Sequence, residues 1–330
     1  MLTPLKLKEK LSLDRKTQEF INKSRQTVFD ILKWKDDRKM IVLGPCSIHN
    51  FQEAIDYANK IKKLQKKYED KFFMIMRTYL EKPRTSIGWK WYMYDPYIDW
   101  IWNLEDWIYL SRKLLLQINQ LWLPIATEFL SNILAKYIQD LVSYGTIWAR
   151  TTESQIHREF VSNLNIPVGF KNNTFGDIDI PINSIISASS SHHFLDFDDN
   201  LNGKLINSKW NNKTNVILRW GKLWPNYDKK TLDEMNYKLQ SANIDRKIIV
   251  DVSHWNSNKI ANKQIDIITY LSNYYEDIAG IMIESYLRYW NQKISNNLDY
   301  WISITDSCID IKQTDAILEH FYKAINYAEV

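Results

Sequence analysis

The sequence contains little of several features that mark well-known protein classes. Its 330 residues include only two cysteines, Cys46 and Cys308, which excludes a disulfide scaffold and favours a reducing, cytoplasmic location. No run of about 18 apolar residues occurs, so no membrane partner is expected. The N-terminal segment lacks the apolar centre of a signal peptide. The net charge is only +4 and no Lys/Arg block is present, which argues against nucleic-acid binding.

Glycine is also scarce. Only 8 of 330 residues are Gly, where roughly 7% is usual, and folds with many tight turns need Gly because it enters left-handed backbone freely. Tryptophan is in excess, with 14 residues. The run VILRWGKLWPNYD, residues 216–228, shows both features, because Trp220 and Trp224 stand where Gly, Pro, Asn and Asp usually form turns.

Eight short apolar runs alternate with helical patterns along the chain. They cover residues 40–44, 72–76, 123–127, 146–149, 167–170, 215–219, 247–251 and 280–284. This alternation predicts an α/β fold, with a (β/α)8 TIM barrel favoured over an open sheet. An amphipathic helix over 14–33 precedes the first run, so we expect an N-terminal extension over 1–38 and a catalytic barrel over 39–330. HHFLDF and GKLINSK predict an inserted β-hairpin between the fifth and sixth strands.

A polar or ionisable residue stands at or just after the end of each run. These residues are Cys46, Arg77, Glu128, Arg150, Lys171, Arg219, His254 and Glu284. Because the active site of a barrel lies at the carboxyl ends of its strands, the eight side chains are expected to converge on one cleft. A ring of stabilising surface charges is the alternative.

Two kinds of chemistry are represented at these strand ends. Four cations without an acidic partner in their own segments suit a phosphate or carboxylate ligand: Arg77, Arg150, Lys171 and Arg219. Four other residues suit a borderline divalent ion such as Mn, Fe, Co or Zn: Cys46, His254, Glu284 and Asp306. Their spacing gives no support, and a buried inert Cys with a core His remains the alternative.

The loop YLEKPRTSIGW, residues 79–89, is a further basic segment. Lys82, Arg84 and Thr85 follow the second predicted strand, with a stiffening Pro83 between them. An Arg fork and a Thr hydroxyl suit a second phosphate. The same residues are equally compatible with a solvated basic loop.

Six stretches together resemble one family. GPCSIHN, MRTYLEKPRTSIGWK, ARTTESQIHRE, PVGFKN, DVSHWNSNK and SITDSCI are similar, in this order, to segments of the type I 3-deoxy-7-phosphoheptulonate synthases (DAHP synthases). The resemblance extends from about residue 14 to the C-terminus. The KPRT loop separates the chain from the related 3-deoxy-octulosonate 8-phosphate synthases, which share the barrel and the chemistry.

The resemblance implies a metal-dependent condensation of phosphoenolpyruvate with D-erythrose 4-phosphate and water. The products are 3-deoxy-D-arabino-heptulosonate 7-phosphate and phosphate, in the first step of the shikimate pathway to chorismate and the aromatic amino acids. An octulosonate synthase, or an inactive homologue acting as a regulatory or binding subunit, remains the alternative. The resemblance also implies a homodimer or homotetramer, and an aromatic amino acid effector bound between the extension and the barrel.

Site residues are carried over from the same resemblance. The implied ligands of one divalent metal ion are Cys46, His254, Glu284 and Asp306. The implied contacts of phosphoenolpyruvate are Arg77, Arg150, Lys171 and Arg219, with Glu128 beside them. The implied contacts of erythrose 4-phosphate are Lys82, Arg84 and Thr85, with Lys82 near the reacting groups.

Departures from the family pattern concentrate in tryptophan. Twelve of the fourteen fall where family members commonly have Gly: Trp34, Trp91, Trp100, Trp107, Trp122, Trp148, Trp210, Trp220, Trp224, Trp255, Trp290 and Trp301, which leaves Trp89 and Trp102. Trp34 and Trp122 each follow a helical pattern, where Gly is expected just past the helix end. Some bacteria read the codon UGA as glycine, and another genetic code reads it as tryptophan. The hypothesis is that the cellular protein has Gly at most of these positions; the alternative is genuine drift to Trp.

Overall fold

A computed structural model describes residues 2–81, 88–101, 103–220, 225–245, 248–295 and 297–328. The strands are β1 (Lys39–Gly44), β2 (Phe72–Arg77), β3 (Ile125–Glu128), β4 (Tyr144–Ile147), β5 (Val168–Lys171), β6 (His193–Phe197), β7 (Gly203–Asn207), β8 (Thr214–Leu218), β9 (Ile248–Asp251) and β10 (Ile278–Glu284). The α-helices are α1 (Pro4–Lys10), α2 (Arg15–Leu32), α3 (Phe51–Tyr68), α4 (Leu104–Gln120), α5 (Asn132–Ala135), α6 (Gln155–Ser162), α7 (Asp179–Ala188), α8 (Lys229–Ser241), α9 (Lys263–Leu271) and α10 (Ile311–Ala328).

Eight of the strands close into a parallel barrel. Their order is β1-β10-β9-β8-β5-β4-β3-β2, while β6 and β7 pair antiparallel as a separate hairpin between the fifth and sixth barrel strands. The structure therefore confirms the predicted (β/α)8 barrel and its inserted hairpin. None of the described helices is long and apolar enough to cross a membrane.

The barrel strands are buried almost throughout. Every residue in them except Phe73 is buried, because side chains fill the interior and helices cover the outside. This explains why the strands appear in the sequence as continuous apolar runs. The predicted runs match the strands to within two residues. The largest shift is at β4, which begins at Tyr144 because Tyr144 and Gly145 pair with Ala126 and Thr127 of β3.

Two helices precede the first barrel strand. The longer one, α2, begins after Asp14, whose carboxylate accepts a hydrogen bond from the Thr17 main-chain N–H at 2.9 Å, as expected of a helix N-cap. Arg25 in the same helix donates to the main-chain carbonyls of Val142 and Gln139, each at 2.8 Å. The guanidinium thus attaches this helix to the segment that leads into β4.

Tryptophan dominates the unusual backbone positions. Thirteen described non-Gly residues have positive φ, and seven of them are Trp, although Trp supplies only 14 of 330 residues. Their φ angles lie between 60° and 87°; the residues are Trp34, Trp91, Trp100, Trp122, Trp220, Trp290 and Trp301. A bulky L-residue held there costs roughly 1–3 kcal/mol, and Gly avoids this cost.

Two of these tryptophans stand immediately past a helix end. After α2, the Lys35 main-chain N–H donates to the Asp30 carbonyl at 2.9 Å, which is the Schellman pattern with Trp34 at the left-handed position. Trp122 follows α4 with a φ of 60°. After α8 the same position is held by Asn243, with a φ of 57°, and Asn is the usual substitute for Gly there. The backbone therefore matches the expectation of Gly at positions 34 and 122.

Candidate active site

The carboxyl ends of the barrel strands gather the predicted polar residues at one end of the molecule. Four are the last residues of their strands: Arg77, Glu128, Lys171 and Glu284. Four follow a strand by one to three residues: Cys46, Arg150, Arg219 and His254. All eight except Arg150 are buried. Below, the ligand group is Cys46, His254, Glu284 and Asp306, and the cation group is Arg77, Arg150, Lys171 and Arg219.

Three members of the ligand group meet at one point. The sulfur of Cys46 and one carboxylate oxygen each from Glu284 and Asp306 lie within 4.8 Å of one another. His254 stands beside them, with Nε2 at 3.6 Å from Oε1 of Glu284. A set of one thiolate, one imidazole and two carboxylates suits a borderline divalent ion. The residues present therefore fit a metal ion.

The imidazole of His254 is held with Nε2 towards this point. The Ser253 hydroxyl donates to Oδ1 of Asp251 at 2.6 Å and lies 2.7 Å from Nδ1 of His254. A hydroxyl that donates to a carboxylate accepts from Nδ1–H, which leaves the Nε2 lone pair for a metal. Burial lowers the pKa of His254 and so favours the neutral ring, the form that binds metals.

Arg77 is fixed by main-chain and acidic partners. Its guanidinium donates to the carbonyl of Pro45, to the carbonyl of Cys46 at 2.7 Å and to Glu284 at 3.2 Å. It also lies over the Tyr79 ring, 3.8 Å from the ring centroid. Because Glu284 contacts Arg77 and also belongs to the ligand group, the two groups share one carboxylate.

Lys171 forms a buried ion pair. Its Nζ lies 3.0 Å from Oε1 of Glu128, and both side chains are 0% exposed. Burial disfavours the ammonium, but the neighbouring carboxylate of Glu128 outweighs it and raises the pKa of Lys171. Nζ also lies 4.9 Å from the centroid of the Tyr79 ring. Sequence analysis missed Tyr79, which stands two residues after Arg77 in the run MRTYLE.

Arg219 offers an unused donor. Its Nε is buried and has no hydrogen-bond partner in the described part of the chain, and burial lowers the pKa of the guanidinium. A buried N–H without an acceptor is costly, and an anionic ligand would satisfy it. The main-chain N–H of Arg219 donates to Oδ1 of Asn172 at 2.8 Å.

Three buried asparagines join the loops around Arg219. Asn226 donates from Nδ2 to Asn172 at 3.2 Å, and its main-chain N–H donates to Asn256 at 3.1 Å. Asn256 in turn donates to the Asp251 carbonyl at 2.8 Å. This network ties together the segments after β5, β8 and β9. Sequence analysis missed it, because a neutral amide in a loop carries no signal of its own.

Arg150 differs from the other three cations. It is exposed, and its guanidinium lies over the indole of Trp148 at 4.3 Å from the centroid. Two further tryptophans at this end of the barrel, Trp220 and Trp255, meet edge to face with centroids 6.2 Å apart. The indole nitrogens of Trp148 and Trp220 are buried without a partner among the described residues.

The loop predicted to bind erythrose 4-phosphate is not part of the described structure. Lys82, Arg84 and Thr85 all lie outside the described residues. Glu81, just before them, is buried and accepts a hydrogen bond from the Tyr94 hydroxyl at 3.1 Å. Burial raises the pKa of Glu81 to about 8, and the nearby Glu128 adds to the shift.

A (β/α)8 barrel whose strand ends bring cations and carboxylates together is the arrangement expected of an enzyme that acts on anionic substrates. Residues 10–319 match the DAHP synthetase I family. The chain is 39% identical to the Phe-sensitive phospho-2-dehydro-3-deoxyheptonate aldolase of Escherichia coli strain K12, over 98% of this chain and 94% of that protein. It is 38% identical to the Trp-sensitive enzyme of the same strain, over 99% and 95%.

A solved structure is equally similar. The phospho-2-dehydro-3-deoxyheptonate aldolase of Francisella tularensis SCHU S4 superimposes with a TM-score of 0.96 at 39% identity, covering 99% of this chain and 97% of that one. The chain therefore belongs to the DAHP synthetase I family. This membership confirms the resemblance and the enzyme class, a transferase of aromatic amino acid biosynthesis, that the sequence motifs indicated.

Proposed function

We propose that the chain condenses phosphoenolpyruvate with erythrose 4-phosphate and water, giving 3-deoxy-D-arabino-heptulosonate 7-phosphate and phosphate. The observation that carries the proposal is the convergence of the ligand group and the cation group at one end of the barrel, where they share Glu284. In the reaction, carbon 3 of phosphoenolpyruvate bonds to the aldehyde carbon, water adds at carbon 2, and phosphate leaves.

The cation group binds phosphoenolpyruvate in this proposal. Arg77, Lys171 and Arg219 are buried cations at this end of the barrel, and the unused N–H of Arg219 supplies a donor for an anionic oxygen. Arg150, on the exposed side, completes the set. Two polyanionic substrates repel each other in water, so holding them against fixed cations lowers the barrier through positioning and charge stabilisation. Glu128 keeps Lys171 charged and oriented beside the substrate.

The ligand group binds one divalent metal ion in this proposal. Cys46, His254, Glu284 and Asp306 would hold it, and the native ion is Mn, Fe, Co or Zn. When bound, such an ion supplies Lewis-acid polarisation of the aldehyde carbonyl. Ser253 and Asp251 orient His254 for this role. Lys82, Arg84 and Thr85 bind erythrose 4-phosphate, with Lys82 near the reacting atoms.

Regulation by an aromatic amino acid is a further part of the proposal. The Phe-sensitive and Trp-sensitive relatives are almost equally similar to the chain, at 39% and 38% identity, so overall identity does not choose the effector. We place the effector pocket between the extension over 1–38 and the barrel over 39–330. A homodimer or homotetramer and a cytoplasmic location complete the proposal.

Phosphate release from phosphoenolpyruvate tests the activity directly. We expect release with erythrose 4-phosphate and Mn²⁺, none after chelation, and much slower release with arabinose 5-phosphate. Arg219→Lys keeps the charge but loses the fork, so the KM for phosphoenolpyruvate should rise about tenfold or more. Arg288→Lys at an exposed position is the matched control. A well-folded chain that releases no phosphate with erythrose 4-phosphate, both as written and with Gly in place of the twelve tryptophans, would overturn the proposal and favour an inactive homologue.

A further inference from the structure

Tryptophan occupies backbone positions that favour glycine, and it also stands just after three of the barrel strands whose ends carry the candidate site. We propose that the cellular protein carries Gly, read from UGA codons, at twelve positions, and that three of these glycines open the cleft. The twelve are Trp34, Trp91, Trp100, Trp107, Trp122, Trp148, Trp210, Trp220, Trp224, Trp255, Trp290 and Trp301; Trp107, Trp210 and Trp224 are included only because the resemblance to the family implies Gly there. The proposal keeps Trp at positions 89 and 102.

Most of the tryptophans with positive φ are exposed. Five of the seven with positive φ are exposed, with 36% to 61% of their surface accessible: Trp34, Trp100, Trp122, Trp290 and Trp301. Gly would adopt the same left-handed backbone without the strain that a side chain with a Cβ meets there. The main chain makes hydrogen bonds at these sites. Trp290, for example, exchanges two main-chain hydrogen bonds with Cys308, at 3.0 and 3.3 Å.

The cleft gives a second, independent observation. Trp148 precedes Arg150 by two residues, and Trp220 directly follows Arg219. Both indole nitrogens are buried and unpartnered among the described residues, which is unfavourable for a donor. The guanidinium of Arg150 also lies 4.3 Å from the centroid of the Trp148 ring. Arg150 is one of the cations that the proposed function assigns to substrate binding. Gly at positions 148 and 220 removes the orphaned donors, and Gly there and at 255 lets the main chain approach the ligand.

Trp89 differs from these residues, because its indole is buried and its nitrogen is hydrogen-bonded. It is buried at 2% exposure, and its Nε1 donates to the Asp95 carbonyl at 2.7 Å. Its φ is not positive. Two residues further on, Trp91 has a φ of 80°, in the left-handed region that favours Gly. The two neighbouring tryptophans therefore differ in backbone conformation, as expected if position 91 is Gly in the cell and position 89 is Trp. Reassignment raises Gly from 8 to 20 residues, near the usual fraction.

The gene and the native peptides test this proposal without any assay of activity. We expect UGA at all twelve codons and UGG at positions 89 and 102. Peptide mass spectrometry of the chain from its source cells should show Gly at the twelve positions. UGG codons at these positions, or native peptides that contain Trp at the positive-φ sites, would overturn it.

Recombinant variants test the physical argument. A chain with Gly at the seven positive-φ positions should unfold at a higher urea concentration than the chain as written. Trp89→Gly is the matched control and should unfold at a lower one, because it removes a buried, hydrogen-bonded indole. If the variant with seven Gly substitutions is destabilised as strongly as Trp89→Gly, the tryptophans are structural and the proposal fails. These readouts are separate from the proposed activity.

A different observation supports a second inference, which rests on the proposed function. Tyr79 is 1% exposed, and two cations of the cation group lie over its ring, Arg77 at 3.8 Å and Lys171 at 4.9 Å. Its hydroxyl is 2.9 Å from that of Thr146, so the ring is fixed. Two buried like charges repel each other, and a negative π face attracts both. We infer that Tyr79 is a positioning residue that keeps Arg77 and Lys171 placed for phosphoenolpyruvate.

The ring and the hydroxyl can be separated by substitution. Tyr79→Leu removes the π face and should raise the KM for phosphoenolpyruvate about tenfold with a smaller change in kcat, because a desolvated cation–π contact is worth roughly this factor. Tyr79→Phe keeps the ring and should stay within about threefold of the parent chain. Equal effects of the two substitutions, or a loss of kcat alone in Tyr79→Leu, would overturn the inference. A parent chain that is inactive both as written and with Gly at the twelve positions would instead refute the proposed function.

Discussion

The two halves of the candidate site are stabilised in different ways. In the cation group, Arg77 and Lys171 are buried and held by protein partners, namely main-chain carbonyls, Glu284, Glu128 and the Tyr79 ring. In the ligand group, three donor atoms crowd within 4.8 Å of one another, and Asp306 is turned partly to Lys259, 3.2 Å away. The cation group is thus organised by the fold, whereas the ligand group concentrates like charge that a bound cation would offset.

Glu284 links the two halves. One of its oxygens lies 3.2 Å from Arg77 and 3.6 Å from Nε2 of His254, so this carboxylate neutralises a buried guanidinium and also faces the metal-binding atoms. A substitution at Glu284 should therefore disturb both halves. Substitutions at Lys171 or Asp251 should disturb only one half.

The largest effect is expected from Glu284→Gln. Loss of the charge removes a metal ligand and leaves Arg77 without its carboxylate, so kcat/KM should fall by about a thousandfold or more. The apparent affinity for Mn²⁺ should fall as well. Both are measured by phosphate release over a Mn²⁺ titration. Glu276→Gln, an exposed position before β10, is the control. Retention of more than about a tenth of the activity would contradict the shared role.

Lys171→Met should break the cation group alone. It leaves Glu128 buried without its partner, which costs roughly 3–5 kcal/mol of stability, and it should raise the KM for phosphoenolpyruvate about a hundredfold. Mn²⁺ affinity should remain unchanged. The double variant Lys171→Met/Glu128→Gln should recover stability, measured by urea unfolding, but not activity. A large change in Mn²⁺ affinity would show that the halves are not independent.

Asp251→Asn should weaken the ligand group alone. The Asp251 carboxylate accepts the Ser253 hydroxyl hydrogen bond that in turn orients His254. An amide is a weaker acceptor than a carboxylate, so the His254 tautomer that leaves the Nε2 lone pair for the metal should be favoured less. Metal affinity should therefore fall about 10–100-fold. Saturating Mn²⁺ should restore most of kcat. If excess metal restores nothing, Asp251 has a role beyond orienting His254.

The sequence predicted the barrel because its strands are buried on both faces and therefore appear as uninterrupted apolar runs. It predicted the strand-end residues because parallel strands bring their carboxyl ends to one face. It did not predict which acid neutralises which cation. Arg77 and Glu284 are 207 residues apart, and Lys171 and Glu128 come from different strands, so no local pattern could pair them.

Neutral and aromatic contributors were also missed. Tyr79 and the asparagines 172, 226 and 256 act through contacts between segments distant in sequence, and nothing in their own segments distinguishes them from ordinary loop or core residues. The positions that favour Gly could, in contrast, be recognised from the sequence. Left-handed turns past helix ends carry a strong local signature, which is why Trp34 and Trp122 could be questioned from sequence and then matched by φ angles of 62° and 60°.

The smallest effect on activity is expected at Glu81, whose surroundings differ from those of Glu128. Glu128 is paired with Lys171, whereas Glu81 accepts a hydrogen bond from the neutral Tyr94 hydroxyl, and burial raises its pKa from 4.5 to about 8. Between these values the unfolded chain binds fewer protons at this site than the folded chain. The contribution of Glu81 to stability is therefore full below 4.5 and is lost as pH rises through about 8. Urea unfolding of the parent chain should weaken over this window relative to Glu81→Gln, whose amide does not titrate. Parallel pH profiles for the two chains would show that Glu81 is already ionised in the fold.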